Sequence, residues 1–157
     1  MSRLLLIRHA HAGDRARWRG PDDQRPLSEK GWRQARGLVA LLSDDGLARI
    51  TSSPSLRCVQ TVLPLAETRG LQVEEDPRLH EGSDPHEAFT ALEADLHAGA
   101  SVAASTHGDL MPAILDLAAE RGAVLPPDVR WPKGCTWVLD HEDGRWVGAR
   151  FLPPPEA

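Results

Sequence analysis

The chain has 157 residues, 18 lysines and arginines against 23 aspartates and glutamates, and a formal net charge of -5. That size fits one domain, and the acidic balance excludes a general nucleic-acid binder, whose footprint is basic. The two cysteines, Cys58 and Cys135, form no CxxC pair, and the longest apolar run near the start is Leu4 to Ile7. A disulfide framework, a signal-peptide core and a membrane span are therefore not expected, and the setting implied is cytoplasmic with reduced thiols.

Charge is unevenly placed. Residues 1–36 carry nine basic and four acidic side chains, the remaining 121 carry nine and nineteen, and sixteen of the eighteen basic residues are arginine. The planar guanidinium suits carboxylate and phosphate, so a small anion near the N-terminal segment is the expected ligand rather than a polyanion.

Leu4-Leu5-Leu6-Ile7 followed by Arg8-His9 reads as a strand buried on both faces, as in a parallel sheet, with Arg8 and His9 at its carboxyl end, where ligands bind in open α/β sheets. Gly13 to Pro26 has no apolar periodicity and reads as a long loop, and Arg15, Arg17, Trp18 and Arg19 sit within it as candidates for the mouth of an anion site. Ser28 and Glu29 start a helix whose inward face is Trp32, Ala35, Leu38, Val39 and Leu42, ended by Asp44-Asp45-Gly46.

A short strand is expected over Ala48 to Ser52. Ser53 then reads as an N-cap with Pro54 at the first helical position, which puts Arg57 in the first turn, aimed at an end that already favours anions. Pro64 should kink or shorten that helix. Leu71 to Glu75 reads as a strand, Leu79-His80-Glu81-Gly82 as a loop, and Pro85 to His97 as a helix. Ala100 to Thr106 then runs into His107-Gly108-Asp109 and a helix carrying Leu110, Ile114, Leu115 and Ala118, repeating the plan of the first strand. Thr136–Asp140 and Arg145–Leu152 read as a hairpin around Asp143-Gly144. The domain is expected to cover 1–152, with 153–157 as a proline-rich extended tail.

If these strands share a sheet, His9 and His107 emerge from neighbouring carboxyl ends beside Arg8 and Arg57. Two arginines and two histidines suit a dianion with three oxygens to hold, so phosphate is the economical ligand. His9 would attack phosphorus, the other three would hold the equatorial oxygens, and Glu81 is the candidate proton donor for the leaving oxygen. A different reading takes His9, His11, His107 and Asp109 as metal ligands, against which two neighbouring arginines would repel a cation. His80, His86, His97 and His141 read as surface residues, and Trp131 and Trp137 as core, rim or dimer contacts.

Arg8-His9-Ala10, Ser52 to Thr61 around Arg57, and Thr106-His107-Gly108 resemble, in order, the three signatures of the histidine phosphatase superfamily, which includes the phosphoglycerate mutases. Arg25-Pro26-Leu27-Ser28-Glu29-Lys30-Gly31 and the short length further resemble its compact SixA-type phosphohistidine phosphatases. The resemblance implies a three-layer α/β/α sandwich, a mostly parallel central sheet with a C-terminal hairpin, and catalysis through a phosphohistidine without metal or other cofactor. It matches His9 to the nucleophile, Arg8 and Arg57 to the phosphate-binding arginines and His107 to the second histidine, while Leu79 to Gly82 matches the acid-bearing segment only loosely.

Trp18-Arg19-Gly20, Arg25-Pro26-Leu27 and Lys133 to Leu139 are similar instead to the histidine-phosphatase domain that follows a Nudix domain in some oxidised-nucleotide hydrolases. These 157 residues hold no Nudix domain. The function expected is a phosphatase acting on phosphohistidine in a protein or on a small phosphorylated molecule, with no nucleic-acid polymer or membrane as partner. A nucleotide phosphatase and a non-catalytic phosphate-binding module are the alternatives, and a mutase is disfavoured by the short chain. Arg19 and Lys133 are the expected leaving-group contacts.

Overall fold

The N-terminal aliphatic run forms strand β1, Ser2–Arg8, near the middle of a six-stranded sheet in this computed structural model, which describes residues 1–43, 46–96 and 99–156. The other strands are β2 (Leu47–Ser52), β3 (Val73–Glu75), β4 (Ser101–Thr106), β5 (Thr136–Glu142) and β6 (Arg145–Leu152), in the spatial order β3-β2-β4-β1-β5-β6. The first four are mutually parallel, while β5 runs antiparallel to both β1 and β6. Helices α1 (Glu29–Leu41), α2 (Leu56–Arg69), α3 (Pro85–Ala94) and α4 (Leu110–Glu120) complete the expected three-layer sandwich.

Alternate side chains explain why β1 is apolar throughout. Leu5 and Ile7 point into one core with Leu38 of α1 and Val62 and Leu65 of α2, whereas Leu4 and Leu6 point into the other with Phe89 of α3 and Met111 and Ile114 of α4. A strand covered on both faces has no polar side to show. The hairpin turn forms as expected, with Asp143 and Gly144 at φ of 51° and 76°, the left-handed pair a two-residue hairpin needs.

Several boundaries differ from the sequence reading. The N-cap of α2 is Ser55, not Ser53; the Ser53 hydroxyl lies 2.8 Å from His107 Nε2 and accepts the Ser55 N–H at 3.3 Å, and Arg57 remains in the first turn. Helix α2 runs unbroken past Pro64 to Arg69, so the proline does not shorten it. On α1, Ala35 and Leu38 are buried as expected, with Leu42 just beyond the helix, while Trp32 and Val39 are only half-buried and Gly31 and Gln34 join the inward face. The polar Gln34 turns inward because its Oε1 accepts the His11 backbone N–H at 3.0 Å. The long loop contains two short 3-10 turns, Arg15–Arg17 and Asp22–Gln24. Trp137 is core, whereas Trp131 is 37% exposed. The expected helix end at Asp44-Asp45 and the placement of His97 lie outside the described residues. Pro155, in the proline-rich tail, packs against Gly37 of α1.

Gly31 lets α1 approach the loop after β1 so closely that a β-carbon there would collide with the His11 carbonyl oxygen. Gly31→Ala should therefore lower stability by about 1–3 kcal/mol, despite the gain in helix propensity that alanine brings elsewhere. Urea denaturation would measure this, and unchanged or raised stability would contradict the contact.

Candidate active site

His9 follows β1 directly, and its backbone N–H donates to the Thr106 carbonyl at 3.0 Å, carrying the β1–β4 pairing one residue beyond the strand. The next amide, Ala10 N–H, donates to Thr61 Oγ1 of α2 at 2.9 Å, and Gly134 N–H donates to the His9 carbonyl at 3.0 Å. Held on three sides, the imidazole is buried with 5% exposure. Its Nδ1 lies 2.9 Å from the Ala10 carbonyl, which can only accept, so Nδ1 carries the proton and Nε2 keeps its lone pair. Burial pushes the His9 pKa down to about 3, with the positive charges of Arg57 and Arg8 and the His107 ring acting in the same direction. The ring is therefore neutral, as a nitrogen nucleophile must be.

His107 leaves the adjacent strand β4, and its ring meets that of His9 edge-on, with centroids 5.5 Å apart. Its Nε2 faces Ser53 Oγ, while Nδ1 faces Arg57 Nη2 at 3.4 Å; since a guanidinium only donates, the Nε2 proton goes to Ser53. Burial, reinforced by Arg57, pushes the His107 pKa down to about 4. Cys58 lies 3.5 Å from His107 Nε2, but burial pushes its thiol up to about 12, so it stays protonated.

The two arginines enter from opposite sides. Arg57 is 1% exposed; its Nη1 donates to the Asp22 carbonyl at 2.8 Å and its Nη2 to Asp22 Oδ2 at 3.0 Å. Arg8 donates through Nη1 to the Trp131 carbonyl at 2.7 Å and lies against Gly108, where a β-carbon would sit 2.7 Å from its guanidinium carbon. The Nε of each arginine is buried without a hydrogen-bond partner. A buried, unpaired cationic donor is costly.

Arg8, His9, Lys133 and Glu81 line one cavity of about 260 Å³ with Arg15, Arg25 and Asp109. Both Glu81 oxygens accept from Arg15 Nη2, at 3.0 and 3.1 Å, and Glu81 Oε2 lies 4.0 Å from Arg57 Nη2. The loop bearing Glu81 is fixed from two sides, by Thr106 Oγ1 donating to the Leu79 carbonyl and by Gly82 N–H donating to Asp109 Oδ2. Lys133 is half-buried at the wall, where burial and then Arg8 lower its pKa. Arg19 is exposed on the loop and does not line this cavity. Among the described residues no group of three or more His, Cys, Asp or Glu side chains is placed to hold a metal. His11 turns toward Ser28 Oγ at 2.7 Å, and Asp109 is taken up by Gly82.

Two residues at the site escape sequence reasoning. Asp22 carries the carboxylate that bridges Arg57, Arg15 and Arg25, at 3.0, 3.2 and 3.2 Å. Its only signal is an acidic residue three before Arg25, in a loop that also carries Asp14 and Asp23. His80 is not a surface residue: it is half-buried, 5.7 Å from the His107 ring, with Nε2 3.4 Å from Ser55 Oγ. His141 is also half-buried, edge-on to Trp146 on the hairpin, whereas His86 is exposed.

A neutral buried imidazole thus lies beside two arginines at the carboxyl ends of parallel strands in an α/β fold. The model of the histidine phosphatase superfamily (branch 1) matches residues 4–84, and the chain belongs to that family. An 8-oxo-(d)GTP phosphatase of Mycolicibacterium smegmatis is 35% identical over 156 residues, 98% of this chain and 48% of that protein. Phosphoserine phosphatase 1 of Hydrogenobacter thermophilus is 39% identical over 83 residues, 52% of this chain and 39% of that protein. The chain thus spans half or less of the length of these curated relatives. The structure of the protein histidine phosphatase SixA complexed with tungstate superposes with a TM-score of 0.72 at 23% identity, covering 98% of this chain and 96% of that one, which shows the shared fold. No helix among the described residues is long and apolar enough to cross a membrane.

Two predictions test the electrostatics and the packing. An unfolded histidine titrates near 6.5, so between pH 6.5 and about 4 the unfolded chain binds protons that folded His9 and His107 refuse. Stability should fall as pH drops through that window, by up to about 1.4 kcal/mol per pH unit for each histidine. In a His9→Asn/His107→Asn variant, denaturation at pH 6.5 and 4.5 should show a shallower slope; an equal slope would contradict neutral buried rings. Gly108→Ala should displace the Arg8 guanidinium and weaken binding of inorganic phosphate about tenfold or more, on the scale of one lost charge-assisted hydrogen bond. Titration calorimetry would contradict this if affinity were unchanged.

Proposed function

We propose that this domain is a metal-independent phosphatase that forms a phosphohistidine on His9 and acts on small phosphate esters. The observation carrying this is the His9 tautomer: with Nδ1–H given to the Ala10 carbonyl, the Nε2 lone pair is available beside two arginines whose Nε donors lack partners. In the first step Nε2 forms a bond to phosphorus as the ester P–O bond breaks, and Arg8, Arg57 and His107 hold the equatorial oxygens as charge gathers on them. A bound dianion raises the proton affinity of His107, which then donates to an oxygen rather than merely facing Arg57. Glu81, once released from Arg15 and protonated, supplies the proton to the departing oxygen. In the second step water attacks phosphorus, the N–P bond breaks, Glu81 recovers its proton from the water, and inorganic phosphate leaves.

Among esters, nucleotides are the favoured class. The support is the 35% identity across 98% of this chain to a protein named an 8-oxo-(d)GTP phosphatase. A phosphohistidine-bearing protein, to which the SixA resemblance points, is the second reading. Lys133, at the cavity wall, is the better placed of the two expected leaving-group contacts.

The test is turnover in chelator without added metal on nucleotides, sugar phosphates, an aryl phosphate and a phosphohistidine-bearing protein. Wild type should release phosphate with a preference for nucleotides, and His9→Ala should reduce it to background. Glu81→Gln should cost roughly 10²–10⁴ on alkyl esters, which need a proton on leaving, and much less on the aryl ester. Preference for the phosphoprotein would establish the second reading. Phosphate binding with no turnover of any substrate would contradict catalysis and leave a binding module.

A further inference from the structure

A second cavity adjoins the phosphate pocket. It also measures about 260 Å³, and it shares Gly13 and Arg25 with the pocket that holds His9 and Arg8. Its other walls include Ala12, Pro26, Leu27 and Trp18, with Asp14 and Arg17 supplying charge. Neither cavity alone reaches the roughly 300–1,000 Å³ of sites that bury a whole small ligand, whereas the two together do. One is lined by cations and the other mainly by apolar side chains, so a ligand filling both must have an anionic end and an apolar end.

Trp18 gives the apolar end its shape. The indole N–H, its only polar group, donates to the Pro21 carbonyl at 2.8 Å, which fixes the ring. Gly20 sits beneath it, where a β-carbon would come within 3.2 Å of Nε1. Trp18 nevertheless remains 39% exposed overall and lines the cavity. An indole fixed in orientation, satisfied in its hydrogen bonding and left partly bare is a stacking plate. Asp14 and Arg17, 3.6 Å apart, offer an acceptor and donors to the edge of whatever stacks there.

Resting on the proposed phosphatase activity, we infer that this cavity is the base subsite of a nucleoside phosphate, with Trp18 stacking on the nucleobase. The two-part shape favours this occupant over a phosphohistidine. In phosphohistidine the ring carries phosphorus directly, so ring and phosphoryl group share one pocket; in a nucleotide the sugar spans the gap between them. Trp18 is then a specificity residue, and Arg19, the neighbour singled out by sequence, is not.

The experiment compares AMP and GMP with glycerol phosphate as substrates of wild type, Trp18→Ala and Trp18→Phe, and measures binding of the same nucleotides to His9→Ala with and without Trp18→Ala by equilibrium dialysis. Loss of one stacked base predicts a KM for nucleotides raised roughly 5- to 100-fold in Trp18→Ala, glycerol phosphate turnover unchanged, and Trp18→Phe close to wild type. Equal losses on both substrate types, or none on either, would overturn the subsite. So would a matching loss on a phosphohistidine-bearing protein. If no ester is turned over yet AMP and GMP bind His9→Ala and lose affinity on Trp18→Ala, the phosphatase reading fails and the subsite stands. Nucleotide binding that is absent or independent of Trp18 overturns the subsite whatever the turnover.

Discussion

The site depends first on the parallel pairing of β1 with β4. Their register sets Arg8 opposite Thr106, and the His9 amide extends the ladder by donating to the Thr106 carbonyl. One backbone arrangement thereby fixes the start of both histidine-bearing turns. Because both strands are buried on both faces, a slip of register would force every core side chain of β1 to repack against α1–α2 or α3–α4. The same packing that builds the core therefore sets the backbone positions of His9 and His107.

Around that frame the protein gathers positive charge and excludes water. Arg57 is fully buried, Arg8 lies half-buried against Gly108, and Lys133 and Arg25 stand close by. Burial first, and then the charge of Arg57, pushes His9 down to about 3 and His107 to about 4, so both are neutral where ordinary histidines begin to charge. Asp22 and Glu81 partly balance the cations from the rim, but the Nε donors of both arginines remain unpaired. Such a local violation of polar satisfaction is characteristic of functional sites, where the missing partner arrives with the ligand.

Much of this architecture is legible in the sequence because it rests on strong local signals. Leu4 to Ile7 suits a strand buried on both sides, Asp143-Gly144 signals a tight hairpin, and the strand-to-histidine pattern occurs twice. What escapes depends on tertiary partners. Ser53 has the chemistry of an N-cap, yet His107, 54 residues away, claims its hydroxyl. Gln34 faces inward because His11 offers it an amide, which no helical periodicity contains. Asp22 and His80 look like solvated residues until the fold sets them against Arg57 and His107. Within this loop, sequence singles out Arg19 for the leaving group, and only the fold shows that Trp18 and Arg17 line the second cavity while Arg19 does not.

The central claim is that the His9 Nε2 lone pair is the nucleophile. The most direct measurement mixes the protein with a phosphate ester, quenches within milliseconds in base, where an N–P bond survives, and maps the phosphoryl group by mass spectrometry. A phosphoryl group should build up on His9 and decay with turnover. Turnover with no phosphoryl group on His9, or with one on His107 instead, would contradict that claim.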